Sequence, residues 1–183
     1  MRKEMSILDE FVDKAIRTKM YVTVRRPVYE AEGLSGVLLQ QSEDFLLLKK
    51  FNEFGEYDGI SAIRKDDVSE IGFEGNRRYV TEKLIEKYGR DNLDVSPIDL
   101  SSIQTIIEGF STYGYVALFQ EEYSNDFDIG EVLENDEEFL ILHGYGTTNT
   151  LDRPKVMLRL DSISRIDVDG KYERSILEVF SNL

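Results

Sequence analysis

The sequence predicts a mainly β protein with flanking α-helices, arranged as two tandem five-stranded small barrels, each with an N-terminal helix and a short C-terminal helix. Three observations predict it. The stretch from Gly36 to Gly75 returns as Gly130 to Gly170. Each copy breaks into short apolar runs separated by polar turns, and an amphipathic segment of helical period precedes each set of runs.

The repeat is read residue by residue. When Tyr21 to Lys49 is set against Tyr115 to His143, a shift of 94, nine of 29 positions are identical, among them Tyr21, Val22, Gly36, Phe45, Leu46 and Leu48. One extra residue after the central strand moves the shift to 95, and Arg64, Asp66, Ser69, Ile71 and Gly75 then meet Arg159, Asp161, Ser164, Ile166 and Gly170. Other pairs exchange like for like, as Val24 with Leu118 and Leu47 with Ile141. The apolar frame repeats while the polar surface does not. The chain therefore divides into residues 1–92 and 93–183, each large enough to bury a core of its own.

Ser6 to Asp9 has the spacing of a capping box, and Ile7, Leu8, Phe11, Val12, Ala15 and Ile16 recur with helical period, so residues 7 to 18 form a helix. Strands follow over Tyr21 to Arg25, Ser35 to Gln41, Asp44 to Phe51, Gly59 to Arg64 and Val68 to Phe73. Phe45 to Leu48 is apolar at every position, which in a strand means burial on both faces, inside a closed sheet and under a helix. Thr81 is read as the cap of a short helix carrying Leu84, Ile85 and Tyr88 and ended by Gly89, and residues 89 to 95 as the linker. Ser96-Pro97-Ile98-Asp99 is read as the start of the next helix, with a stripe of Ile98, Ile103, Ile106, Ile107 and Phe110. Five more strands are placed near Tyr115 to Gln120, Ile129 to Asn135, Glu138 to Tyr145, Lys155 to Leu160 and Ser162 to Val168, with a last helix over Tyr172 to Phe180.

Composition narrows the functions. The chain has no cysteine and one histidine, which rules out disulfides, thiolate metal sites and a histidine cluster within one chain. The net charge of -14 lies mostly in the second copy: residues 1–92 carry 16 basic and 18 acidic groups, residues 93–183 carry 6 and 18. Such a field disfavours DNA, RNA and anionic lipid and suits a basic protein partner or simple solubility. The charged N-terminus has no apolar h-region and runs such as Tyr115 to Phe119 fall far short of the ~20 residues that cross a bilayer, so the expected location is cytoplasmic.

No constellation carries chemistry. His143 matches Lys49 and reads as a strand-surface residue. Asp126-Phe127-Asp128-Ile129-Gly130 lacks the register and the closing glutamate of a calcium loop. Carboxylate neighbours such as Asp66-Asp67, Glu121-Glu122 and Glu137-Glu138 are expected from abundance, and no phosphate loop, nucleophile elbow or HExxH is present. Catalytic residues, metal and cofactor are all expected to be none. Arg25-Arg26-Pro27 and Arg77-Arg78 read as solvated loop residues of the first copy.

A helix followed by five short bent strands, with glycine in the second and an apolar-arginine pair closing the fourth, resembles the Sm-like superfamily of Sm, Lsm and Hfq-type small barrels, a variant of the SH3-like architecture. Where that family carries glycine, then aspartate, an apolar residue and asparagine, this chain has Gly36, Ser42, Phe45, Leu46 and Gly130, Asp136, Phe139, Leu140; the aspartate survives once and the asparagine never. The second motif reads Ile63-Arg64-Lys65 and Leu158-Arg159-Leu160, with arginine kept and glycine lost. The resemblance implies the fold and assembly by pairing the fourth strand of one barrel with the fifth of the next. It also implies single-stranded RNA binding, for which most of the polar pocket is missing. The expectation is a non-catalytic protein-interaction or assembly module, acting on a protein partner or on itself through barrel edge strands. A divergent RNA binder is the alternative, with Arg64, Lys65 and Arg159 as phosphate contacts.

Overall fold

The computed structural model describes residues 6–26, 33–73, 75–88, 95–120, 127–145 and 152–181. Helix α1 (Ile7–Thr18) leads into strands β1 (Tyr21–Arg25), β2 (Leu34–Gln41), β3 (Phe45–Phe51), β4 (Tyr57–Arg64) and β5 (Glu70–Gly72), then helix α2 (Asn76–Tyr88). The second half follows with α3 (Ile103–Ser111), β6 (Val116–Gln120), β7 (Phe127–Asn135), β8 (Phe139–Gly144), β9 (Lys155–Arg159), β10 (Ile163–Val168) and α4 (Lys171–Ser181). Short 3-10 turns at Lys65–Asp67 and Leu160–Ser162 separate the fourth and fifth strands of each half.

All ten strands belong to one antiparallel sheet in the order β5-β1-β2-β3-β4-β10-β6-β7-β8-β9. The two separate five-stranded barrels expected from the sequence are not what forms. Within each half the fourth strand does not pair with the fifth; β4 instead takes up its ladder with β10, Ile63 opposite Arg165 and Ile60 opposite Val168. Backbone groups along β4 are thereby satisfied by the other half, and the sheet stays open, with β5 and β9 as its outer strands. The five strands of the second half repeat the order of the first, and the β4–β10 ladder joins them.

Local sequence explains most elements. The Ser6 hydroxyl accepts the Asp9 N–H at 3.1 Å and fixes the start of α1, while Lys19 in the left-handed region closes its end on the carbonyls of Ala15 and Ile16. In α3 the start differs from expectation. Ser102 and Thr105 form a reciprocal capping box, so the helix begins at Ile103. Residues 95–100 precede it as a non-helical strap. Gln40 on β2 holds this strap by both backbone groups of Ile98, accepting its N–H at 3.0 Å and donating to its carbonyl at 3.2 Å. Thr81 is likewise no cap: α2 begins at Asn76, and Thr81 lies buried within it. Most of the linker read at residues 89 to 95 lies outside the described residues. Among the described residues no helix is long and apolar enough to cross a membrane.

Strand β3 is buried on both faces, as its unbroken apolar run requires, but the second cover is not the interior of a closed barrel. Leu46 and Leu48 pack with Val12 and Ala15 of α1, Val22, Val24, Leu38 and Ile63. Phe45 and Leu47, pointing the other way, join Ile60 and Ala62 in a cluster with Ile98 and Leu100 of the strap, Ile106, Ile107 and Phe110 of α3, and the β6, β8 and β10 core. The largest core therefore spans both halves. Smaller clusters repeat at the C-terminal helices, where Ile85 of α2 packs with Tyr21 and Phe51, and Ile176 of α4 with Tyr115 and Ile129.

Two glycines explain the bend of the second strand in each half. A Cβ on Gly36 would overlap the carbonyl of Lys49, and one on Gly130 would overlap the carbonyl of His143. Each glycine is followed by a register shift at the matching place, between Leu38 and Gln40 and between Val132 and Glu134. Gly36→Ala is expected to cost roughly 1–3 kcal/mol, since the obstacle is backbone rather than a movable side chain. Urea denaturation of that variant, compared with Gly109→Ala where a Cβ meets only the movable Ile98 side chain at 3.3 Å, checks it.

Candidate functional site

The residues singled out by the sequence do not converge on one site. Arg64, at the end of β4, is spent on the joint between halves: its Nε donates to the Ile163 carbonyl at 2.7 Å and its Nη2 to the Leu160 carbonyl at 3.0 Å. Lys65 is buried, donating at 2.7 Å to Asp9 of α1 and at 2.7 Å to Gln41 of β2, and so ties the helix to the sheet. That contact, with the Ser6 hydroxyl, holds the Asp9 carboxyl below the usual range. Arg159 lies at the far outer strand, exposed, with a bidentate bond to Asp161 at 2.9 and 2.5 Å. Arg64 and Arg159 nonetheless share a pose, each guanidinium carbon 5.5 Å from the ring centre of the matched Phe45 or Phe139.

Sequence reasoning missed a buried cluster of charged groups at the joint. Asp167 of β10 is fully buried at the joint. It accepts from Lys50 of β3 at 2.5 Å and from Ser61 of β4 at 2.5 Å, and its partner on the same strand, Arg165, stands 3.0 Å away with its guanidinium over the Phe119 ring. Burial alone pushes the Asp167 carboxyl up; the charges of Arg165 and Lys50 with those hydrogen bonds outweigh it and hold the group below its ordinary value. Burial pushes Lys50 down, and Asp167 more than offsets that, leaving the ammonium firmly charged.

Arg26 is also part of this region, and here the expectation of loop solvation is overturned. It is buried, donating to the Ser164 carbonyl at 3.1 Å and standing 4.0 Å from Asp67. The cause is geometric: Arg25 pairs with Glu70 across β1 and β5, so the next residue turns inward toward β10. Around the same joint the Tyr57 hydroxyl donates to Asp169 at 3.0 Å, and the Lys171 N–H donates to Asp58 at 3.0 Å. Among the described residues, polar contacts at Arg26, Lys50, Tyr57, Asp58 and Ser61 thus join those of Gln40 and Arg64 in crossing between halves besides the β4–β10 ladder.

Glu173 of α4 is buried beside this cluster. Burial and the neighbouring Asp167 push its carboxyl up, and Lys50 only partly counters them. A carboxyl raised in the fold contributes stability that is full below its unfolded value of 4.5 and is lost as pH rises through the folded value. Glu173→Gln is therefore expected to melt higher than wild type at neutral pH and equally with it in acid below 4.5. Thermal melts across that range decide it.

His143 is half-buried in β8, opposite Glu131 on β7 and Lys155 on β9. Asp128 lies in β7 and accepts from Gln120 at 3.1 Å. Among the described residues no group of three or more histidines and carboxylates is placed to hold a metal. The joint shows how one half grips the other, and among the described residues no strand pairs with the outer edges of β5 and β9. Comparison with protein-family models, curated proteins and solved structures returned no match.

Proposed function

We propose that the protein is a non-catalytic interaction or assembly module built from two divergent Sm-like units, holding protein partners through the outer strands of its sheet. The observation that carries this reading is the β4–β10 joint, which consumes one fourth-strand edge and one fifth-strand edge and, among the described residues, leaves one of each open at β9 and β5. Unpaired edges invite a further strand unless they are covered or blunted. Support for two related units comes from the repeated strand order, the matched bulges and the shared pose of Arg64 and Arg159. Protein is favoured over RNA because Arg64 and Lys65 donate within the fold and the Arg159 guanidinium is held by Asp161.

The test uses Met157→Lys, which places a charge on the β9 edge at a side chain that is 65% exposed. Affinity capture should retain a defined protein on wild type and lose it on the variant. RNA binding would show instead as affinity for short single strands that falls steeply with salt and drops on Arg64→Ala with Lys65→Ala; that result would replace the interaction reading.

A further inference from the structure

The matched positions of the two halves differ in one systematic way. Phe45, Leu47 and Ala62 are buried on the outer face of β3 and β4, and Leu39 is packed against the same cluster. Their counterparts on β7, β8 and β9 are Leu133, 40% exposed, Phe139 and Ile141, half-buried, and Met157, 65% exposed. The apolar character is kept at all four positions while the burial is reduced at each. In the first half that cover comes from the second: the strap at residues 95–100, held by Gln40, and strand β10.

We infer that the open face of Leu133, Phe139, Ile141 and Met157 is covered by the first half of a second copy of this chain, docked as the second half docks on the first. This rests on the interaction reading above and names its partner. Carrying the β4–β10 register over by the shift of 95 sets the second copy's β5 beside β9, with Ile71 opposite Met157, Gly72 opposite Val156 and Phe73 opposite Lys155. Phe73 is 44% exposed and stands where Val168 is fully buried in the joint. Arg159 already lies over Phe139 as Arg64 lies over Phe45. On docking it exchanges Asp161 for the carbonyls of Lys65 and Val68 in the second copy, the counterparts of the Leu160 and Ile163 carbonyls that Arg64 holds. Charge sets only a relative preference: residues 93–183 carry 6 basic and 18 acidic groups against 16 and 18 in residues 1–92, so a second half meets less repulsion on a first half than on another second half.

The contact between copies is weaker than the joint within the chain. Lys50, Ser61 and Asp167, which lock the joint, are replaced by Gly144, Val156 and Gly72. Pro154 stands where Gly59, at φ +91, lets Val168 and Gly170 come close, so the new ladder ends at Lys155. Association is therefore reversible and grows with concentration. Because the two surfaces are different, each added copy leaves one of each kind free.

Sedimentation velocity of the full chain over a wide micromolar range tests this. The weight-average mass should rise with concentration beyond that of two 21.2-kDa chains. Met157→Lys and Phe73→Lys should each stay folded and monomeric, the second melting lower for the loss of its ring contact with Phe11 at 4.6 Å, and their mixture should form a one-to-one dimer and nothing larger. Such complementation belongs to a head-to-tail joint alone. A wild type that stays monomeric, or a Phe73→Lys variant that assembles like wild type, overturns the assignment. Should the wild type stay monomeric yet retain a captured protein that Met157→Lys loses, the second copy is excluded while edge docking stands; loss of both removes both.

Discussion

Replacing Asp167 by Asn is expected to destabilise the protein by about 3–5 kcal/mol, because Lys50 and Arg165 are then left buried without their counter-charge. The side chain keeps its shape, so the loss is one of charge rather than volume. The dependence on pH has a definite sign. Asp167 is held below its ordinary value of 3.8, so its contribution is full above 3.8 and is lost as pH falls through the folded value. Urea titrations should therefore show a wide gap between wild type and Asp167→Asn at neutral pH that narrows in strong acid. Asp161→Asn, at an exposed ion pair, serves as the control and is expected to leave the midpoint nearly unchanged. A gap that persists undiminished in acid would show that the charge of Asp167 is not what holds the joint.

Phe110→Ala is expected to cost about 3–5 kcal/mol as well, through lost burial and the cavity left behind. The side chain is fully buried and shares its cluster with Phe45, Leu47, Ile60 and Ala62 of the first half and Leu140 and Leu142 of the second. Damage from one position on α3 should therefore reach both. Amide hydrogen exchange should speed up in β3 and β4 as well as in β6 and β8, and denaturation should remain a single transition. Faster exchange confined to residues 95–181 would mean that the two halves unfold independently.

The elements were legible wherever local chemistry decides them. The Ser6 cap and the apolar period give α1 its limits as found, Ile7–Thr18, and the uninterrupted Phe45 to Leu48 run marks a strand covered on both sides. Two strong local signals lost to tertiary structure. Ser96-Pro97 has the chemistry of a helix start, yet Gln40, from the other half, draws Ile98 into an extended strap, and Ser102 with Thr105 supplies a better cap further on. Thr81 was outweighed by a helix that begins earlier at Asn76.

The joint was the least legible part, since ladder partners such as Ile63 and Arg165 lie far apart in sequence and nothing local announces their pairing. Arg26 and Lys65 look like surface cations because their burial depends on partners that only the fold supplies, Ser164 and Asp9. One signal was present. Lys50, Ser61 and Asp167 meet Gly144, Val156 and Gly72 in the aligned copies, so polarity is lost at the counterpart of each residue in the ionic lock. Differences between repeats, rather than identities, mark where they touch.

The order in which the chain leaves the ribosome gives the Arg64 contact a further meaning. Its guanidinium waits for a carbonyl at Ile163, 99 residues downstream. At synthesis rates of about 5–20 residues per second, the nascent first half spends on the order of 5–20 s with β4 unpaired and Phe45, Leu47 and Ala62 uncovered. During that interval it offers chaperones, and neighbouring nascent chains on the same message, the sticky surface that β10 will later occupy.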